Sequence, residues 1–304
     1  MADEPKTRQP APRVSIVIPT RDRRAQLAAC LRAIAGNQCR HAFELIVVDD
    51  GSRLAIDDDV LPAGLAAARI VRRDGEGPAA ARNAGVALAR GDVVLFTDDD
   101  TLPARAWVEA TVDYLDQHAE AVAVTGPITS VAWDPLYEQS IVADGPGHHW
   151  TANIAYRASV LARIGGFRPD LFRHAHAEDR DLAVRALAIG QIGFSPSMVV
   201  DHAPRAIRLR DVARQARWAD DDLVLYALHA ELTSEFSLPP KLALVAHAGT
   251  MWIRGARQGG SAPQWRRWPR ALVFCAVSVL STARVVARSP GRRALRAAAA
   301  ESRR

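Results

Sequence analysis

Between Val14 and His202 the chain alternates short apolar runs with stretches whose apolar residues recur at helical spacing. Val14-Ser15-Ile16-Val17-Ile18-Pro19 reads as a first buried strand, ended by proline. From Arg23 to Ala35, Leu27, Leu31 and Ile34 mark one face of a helix, and Gly36-Asn37 stops it. Leu45–Val48 is a second strand running into Asp49-Asp50-Gly51-Ser52, and Arg69–Val71 is a short third. Pro78 opens a helix through Ala89, closed by Gly91. Val93–Phe96 is the fourth strand and leads through Thr97 into Asp98-Asp99-Asp100. A helix follows Pro103 to about His118, then strands at Ala121–Thr125, Ile128–Trp133 and Thr151–Tyr156. A short helix at Ser159–Ile164 ends at Gly165-Gly166, and another from Asp179 ends at Gly190. Strands at Ile192–Ser195 and Met198–Val200 complete the series, the last leading into Asp201-His202. Strand and helix alternating at short intervals predict right-handed crossovers and a mostly parallel α/β sheet with helices on both faces.

In such a sheet, ligands bind beyond the carboxyl ends of the strands. Three of those ends carry polar groups here: Pro19-Thr20-Arg21, Asp49-Asp50 and Asp98-Asp99-Asp100. They are expected to converge on one crevice. Three adjacent carboxylates repel one another unless a cation joins them. Asp98 and Asp100 are two apart, so on an extended segment they project the same way and Asp99 the other. Oxygen ligands suit a hard divalent ion, Mg²⁺ or Mn²⁺. The plainer reading is a solvated loop that caps the following helix.

Composition narrows the chemistry. The 304 residues are 49% hydrophobic and 24% charged, as expected of one large globular domain or a domain with an appendage. The net charge is +5, almost all of it from arginine, since Lys6 and Lys241 are the only lysines. A genome-wide arginine preference explains that surplus, and no nucleic-acid partner is expected. With so few lysines the chain holds no Gly-Lys-Ser/Thr phosphate loop and no kinase-type strand lysine. Any phosphate must be held by arginine, backbone N–H groups or a metal. Cys30, Cys39 and Cys275 lack CxxC spacing, which fits a reducing cytoplasm and gives no zinc site. Residues 1–13 are polar and proline-rich, a disordered tail without the apolar core of a signal peptide. Ala271–Leu280 is short of the ~20 residues that a membrane span needs. Gly75-Glu76-Gly77-Pro78-Ala79-Ala80 matches a dinucleotide-binding G-x-G-x-x-A. It follows the third strand rather than the first, however, and its proline suits an ordinary helix start. The loop Asp144–Trp150 has the glycine and proline content of a solvent loop or of a lid.

Taken in order, several segments resemble the family 2 glycosyltransferases of the GT-A (Rossmann-like) fold. They are Val14–Thr20, Val47–Ser52, Ala81-Arg82-Asn83-Ala84-Gly85, Asp98-Asp99-Asp100, Ala152–Ala155, Gly165-Gly166-Phe167, and Glu178–Leu182 with Arg185. The resemblance implies transfer of one sugar, with inversion, from a nucleotide diphosphate sugar to an acceptor hydroxyl. It implies that Pro19, Thr20 and Arg21 line the base and ribose, that Asp50 accepts the base N–H, and that Arg82 and Asn83 lie near the diphosphate and ribose. Asp98 would sit near ribose and metal, Asp100 would ligate the metal, and His202 would be a third ligand. Asp179 would be the general base, with Glu178 as its rival. Gln215-Ala216-Arg217-Trp218 is one residue short of the polymer-gripping motif of processive members, so single-sugar addition is expected.

This reading divides the chain into a tail (1–13), a catalytic domain (14–205, nucleotide-sugar half 14–100 and acceptor half 101–205) and a helical extension (206–304). Within 262–304, Trp265, Trp268, Leu272, Phe274 and Val279 stand among arginines. That pattern suits peripheral contact with a membrane or a lipid-linked acceptor at its cytoplasmic face, or else packing against the domain. Three other classes fit less well. A nucleotidyltransferase acting on a sugar phosphate needs a glycine-rich loop after the first strand, which Val17–Arg21 lacks. A phospho-acceptor signalling domain needs a strand-end lysine. An inactive sugar-binding homologue would not need Asp100 and Asp179 intact.

Overall fold

Val14, Ile16, Val17 and Ile18 are fully buried, so β1 (Val14–Thr20) is covered on both faces. Continuous apolar strands of this kind occupy the middle of parallel sheets. The structure, a computed structural model, describes residues 11–208 except 64, 66, 135, 136, 173 and 175, and beyond them residues 211, 221, 224, 225, 228, 229, 272 and 276. After β1 come α1 (Arg24–Ala35), β2 (Phe43–Asp50), β3 (Ala68–Arg73), α2 (Pro78–Leu88) and β4 (Val93–Phe96). Next are β5 (Thr101–Pro103), α3 (Trp107–Gln117), β6 (Ala121–Thr125), β7 (Ile128–Thr129) and β8 (Glu138–Gln139). Then follow β9 (Ile154–Arg157), α4 (Ala158–Ile164), α5 (Glu178–Leu187), β10 (Gln191–Phe194), β11 (Val200–His202) and β12 (Arg205–Ala206).

Among the described residues, seven strands form the main sheet in the order β10-β6-β9-β4-β1-β2-β3. β1 runs parallel to β2 and β4, β2 to β3, and β10 to β6. β9 alone is antiparallel to both its neighbours, with Phe96 opposite Ile154. The register sets Thr20 beside Asp49, which brings the polar ends of β1 and β2 to the same edge. The mostly parallel α/β sheet expected from the sequence is what forms. Several boundaries differ. The strand expected at Ile128–Trp133 keeps two residues, the strand expected at Met198–Val200 is β11 at Val200–His202, and β9 starts at Ile154 rather than Thr151.

α2 packs on the sheet through small residues. It buries Ala79, Ala81 and Gly85, and a Cβ on Gly85 would lie 2.4 Å from Val17 Cγ1. Asn153 ties three segments together, its Oδ1 accepting from Trp107 Nε1 at 2.8 Å while Nδ2 donates to the carbonyls of Pro127 and Met198 at 2.9 and 2.7 Å. The same junction leaves no room at Gly126, where a Cβ would meet the Met198 carbonyl oxygen at 1.9 Å. That oxygen is backbone and cannot rotate away. Gly126→Ala is therefore expected to destabilise the protein by about 3 kcal/mol, the upper end of overpacking costs, read as a lowered urea midpoint. An unchanged midpoint would show that the junction gives way.

The chain divides into two units: residues 1–129, 143–167 and 185–201, and residues 130–142, 168–184 and 202–304. The dividing line cuts through α5 and through β11, between Asp201 and His202. In the second unit Phe172, Ala177 and Leu225 form a small buried cluster, flanked by Leu171, Val224 and Leu228. His174 Nδ1 lies 3.0 Å from Asp221, and His229 Nε2 lies 2.8 Å from Asp181. Arg13, placed in the tail on sequence, pairs with Asp92 at 2.7 Å and Asp116 at 2.5 Å. The rest of the tail to residue 10, Gln215–Trp218 and, but for Leu272 and Ala276, the segment 262–304 lie outside the described residues. Among the described residues no helix is long and apolar enough to cross a membrane.

Candidate functional site

The three aspartates after β4 are divided as the two-residue period predicts. Asp99 is buried, while Asp98 and Asp100 are half-buried. The turn that carries them is fixed from behind. Thr101 Oγ1 donates to the Asp98 carbonyl at 2.9 Å and lies 2.7 Å from Thr97 Oγ1, which in turn donates to the Ala152 carbonyl. Cys30 Sγ lies 3.5 Å from that Asp98 carbonyl. Burial pushes the Cys30 thiol well above its ordinary range, so it is a packing residue and not a nucleophile.

Each carboxylate meets a cationic partner. Arg82, on α2, is almost wholly buried; its Nη2 donates to Asp98 Oδ1 at 2.9 Å, and its guanidinium lies 5.9 Å from the centre of the Phe167 ring. Arg23, just before α1, places Nη1 3.0 Å from Asp99 Oδ1 and 2.7 Å from Asp100 Oδ2. Thr20 Oγ1 donates to Asp99 Oδ2 at 2.7 Å. Burial raises the Asp99 carboxyl to about 6; Arg23 opposes that shift and Asp100 adds to it.

His202 ends β11, the strand between β5 and β7. Its Nδ1 lies 3.0 Å from Ser140 Oγ, and its carbonyl accepts from Ser130 Oγ and Ser140 Oγ at 2.7 and 2.8 Å. A hydroxyl on Nδ1 orients the ring in the way outer contacts orient ligating histidines. In the first unit, Asp98 and Asp100 each offer a candidate ligand oxygen within 4.8 Å of the other. Donors around one octahedral ion with bonds of about 2.1 Å stand roughly 3 to 4 Å apart. Two carboxylates so placed fit Mn²⁺ or Mg²⁺ after small side-chain adjustments.

The end of β2 is built differently. Asp50 Oδ1 accepts the Glu76 amide at 2.9 Å, and Oδ2 the Gly77 amide at 3.0 Å. Gly75 and Gly77 have φ of 81° and 98°, the left-handed region that favours glycine. These glycines thus serve a turn anchored on a carboxylate, which accounts for the G-x-G-x-x-A pattern. Asp49 accepts from the amides of Ser52 and Ile56 and from Arg72, holding the loop after β2. Arg21 is exposed, with its guanidinium over Gly75, and Pro19 is half-buried at the end of β1. Asn83 clamps the backbone of Phe167, its Oδ1 accepting the amide and Nδ2 donating to the carbonyl, each at 2.9 Å.

Asp179 lies in the first turn of α5, in the second unit, where its Oδ1 accepts the Arg180 amide at 2.8 Å. Of the three acids of that turn, Glu178 and Asp181 are buried and Asp179 is half-buried. One contributor was missed in the sequence, Arg23; Phe167 stood in the Gly165-Gly166-Phe167 segment without a role. Arg23 carried no signal beyond being one arginine among many.

The family model for "Glycosyl transferase family 2" matches residues 15–168. A "Pre-mycofactocin glycosyltransferase" of Mycobacterium tuberculosis is 28% identical over 244 residues, covering 73% of this chain and 49% of the relative. The chain thus spans about half the length of this curated relative. Among solved structures, Staphylococcus aureus TarS has a TM-score of 0.51 at 16% identity, covering 89% of this chain and 54% of that one. Mannosyltransferase PcManGT from Pyrobaculum calidifontis, in complex with GDP-Man and Mn²⁺, has a TM-score of 0.50 at 20% identity, covering 96% and 81%. At these identities the likeness is one of fold, and the fold is GT-A.

Proposed function

The chain belongs to glycosyl transferase family 2, and from that membership we propose that it moves one sugar, with inversion, from a nucleotide diphosphate sugar to an acceptor hydroxyl. The observation that carries this reading is the pair of carboxylates, Asp98 and Asp100, with oxygens within 4.8 Å of one another just beyond the carboxyl end of β4. Those two, with His202 as the third ligand of this proposal, would hold a divalent cation, which when bound neutralises the charge that develops on the leaving diphosphate. Arg82 aims Asp98, because a buried guanidinium and a carboxylate at 2.9 Å fix one another. Thr20 and Arg23 fix Asp99, and Arg23 also reaches Asp100. Pro19, Thr20, Arg21 and Asp50 line the base, with Asp50 also anchoring the turn that opens α2. Asn83 acts near the diphosphate by fixing Gly166-Phe167 and hence the ring under Arg82. Asp179 takes the proton of the acceptor hydroxyl. A lipid-linked acceptor reached from the cytoplasmic face, with 262–304 against the membrane, belongs to the same proposal.

The test is a thermal-shift screen of UDP, GDP and dTDP, each with and without Mn²⁺. A diphosphate at a hundred times its dissociation constant stabilises the folded state by about 2.7 kcal/mol. One base is expected to raise the melting temperature by several degrees, and only with the metal. If no diphosphate moves it under either condition, the donor assignment is lost.

A further inference from the structure

We infer that Arg23 is a positioning residue that competes with a divalent cation for Asp100 and so holds down the cation affinity of the nucleotide-free protein. This rests on the glycosyltransferase reading only in naming the cation as part of donor binding.

A single guanidinium nitrogen bridges Asp99 and Asp100, at 3.0 and 2.7 Å. The side chain is only one-third exposed, which limits its freedom to swing into solvent. Asp99 is the buried partner and also takes the Thr20 hydroxyl, so that end of the bridge is fixed. Asp100 is the half-buried partner and also one of the three candidate ligands. A cation approaching Asp100 therefore meets a carboxylate already engaged by a positive charge.

The local charge count points the same way. Asp98, Asp99 and Asp100 bring three negative charges, and Arg82 and Arg23, which pair with them, bring two positive ones. These five side chains sum to one negative charge, where the three aspartates without Arg23 and Arg82 would attract a divalent ion much more strongly. An incoming diphosphate is itself anionic and offers guanidinium groups strong acceptors. It would draw Arg23 from Asp100 while adding negative charge for the cation. Cation and diphosphate are then expected to strengthen each other's binding reciprocally.

Mn²⁺ alone is the probe, titrated into the full chain and followed by the loss of the free-ion electron paramagnetic resonance signal. Arg23→Gln is expected to tighten Mn²⁺ by about tenfold over wild type. Arg24→Gln is the charge control. It removes the same formal charge one residue away, where Arg24 pairs with Asp59 instead, and is expected to shift the affinity less than threefold. If Arg23→Gln does not fold, Arg23→Met, which keeps an unbranched apolar stem, is read in its place with the same expectation. An affinity within threefold of the Arg24→Gln value, or weaker than wild type, overturns the inference, because a purely structural arginine would loosen the site when removed. A diphosphate screen that succeeds alongside such a result removes only the role of Arg23. A screen that fails while Arg23→Gln still tightens Mn²⁺ removes the donor assignment and leaves the competition standing.

Discussion

Asp100→Ala is expected to lower sugar transfer by about a thousandfold or more and to abolish the Mn²⁺ dependence of nucleotide binding. A cation neutralising a leaving diphosphate is worth several kcal/mol, and each 1.36 kcal/mol is a factor of ten in rate. Asp98 holds the buried Arg82, and Asp99 ties β1 to the acidic turn. Removing Asp100 leaves Arg23 its second carboxylate, Asp99, and the fold is expected to survive. Asp98→Ala, by contrast, leaves a buried guanidinium without that partner and should cost stability as well as activity. The two variants are therefore separated by measuring melting temperature beside turnover. Full activity of Asp100→Ala in protein stripped of metal by EDTA would show that the cluster does not serve the reaction through a cation.

The sequence made some of this architecture legible and left other parts silent, for reasons of physics. β1, β2 and β4 were readable because strands covered on both faces are apolar throughout. β5 is three residues long, and a run of that length has no period to detect. The reversal of β9 follows from the path of the chain and not from its composition, since a buried strand is equally apolar in either direction. The acidic turn was legible because consecutive carboxylates are costly. Their counter-charges were less so. Arg23 is distant in sequence from Asp99 and Asp100, and nothing local marks it among the other arginines. Asp50 and Asn83 illustrate the same limit. Their partners are backbone groups of Glu76, Gly77 and Phe167, which every residue type carries.

Asp179→Asn is expected to cut transfer by about a hundredfold or more, the usual range for a positioned base, while nucleotide binding and folding persist. An inverting displacement needs a carboxylate, ionised near neutral pH, to accept the acceptor's proton. Three acids crowd the first turn of α5, and the structure distinguishes them. Asp181 is fully buried, with His229 Nε2 at 2.8 Å and Arg168 at 3.4 Å, so it braces the second unit. Glu178 is buried. Asp179 alone of the three is only half-buried, and an incoming hydroxyl requires an accessible carboxylate. Leu182, Ala183 and Ala186 are buried behind it and set the direction of the turn. The helix N-terminus favours an anion there. Asparagine is nearly the same size and can still accept the Arg180 amide with its side-chain oxygen, so the local hydrogen bond at 2.8 Å is preserved while the basic group is lost. Asp181→Asn should behave in the opposite way, lowering the melting temperature through its buried pairs before it touches chemistry. If Asp179→Asn transfers sugar at the normal rate and Glu178→Gln does not, the base is Glu178, and the exposure argument has chosen the wrong neighbour.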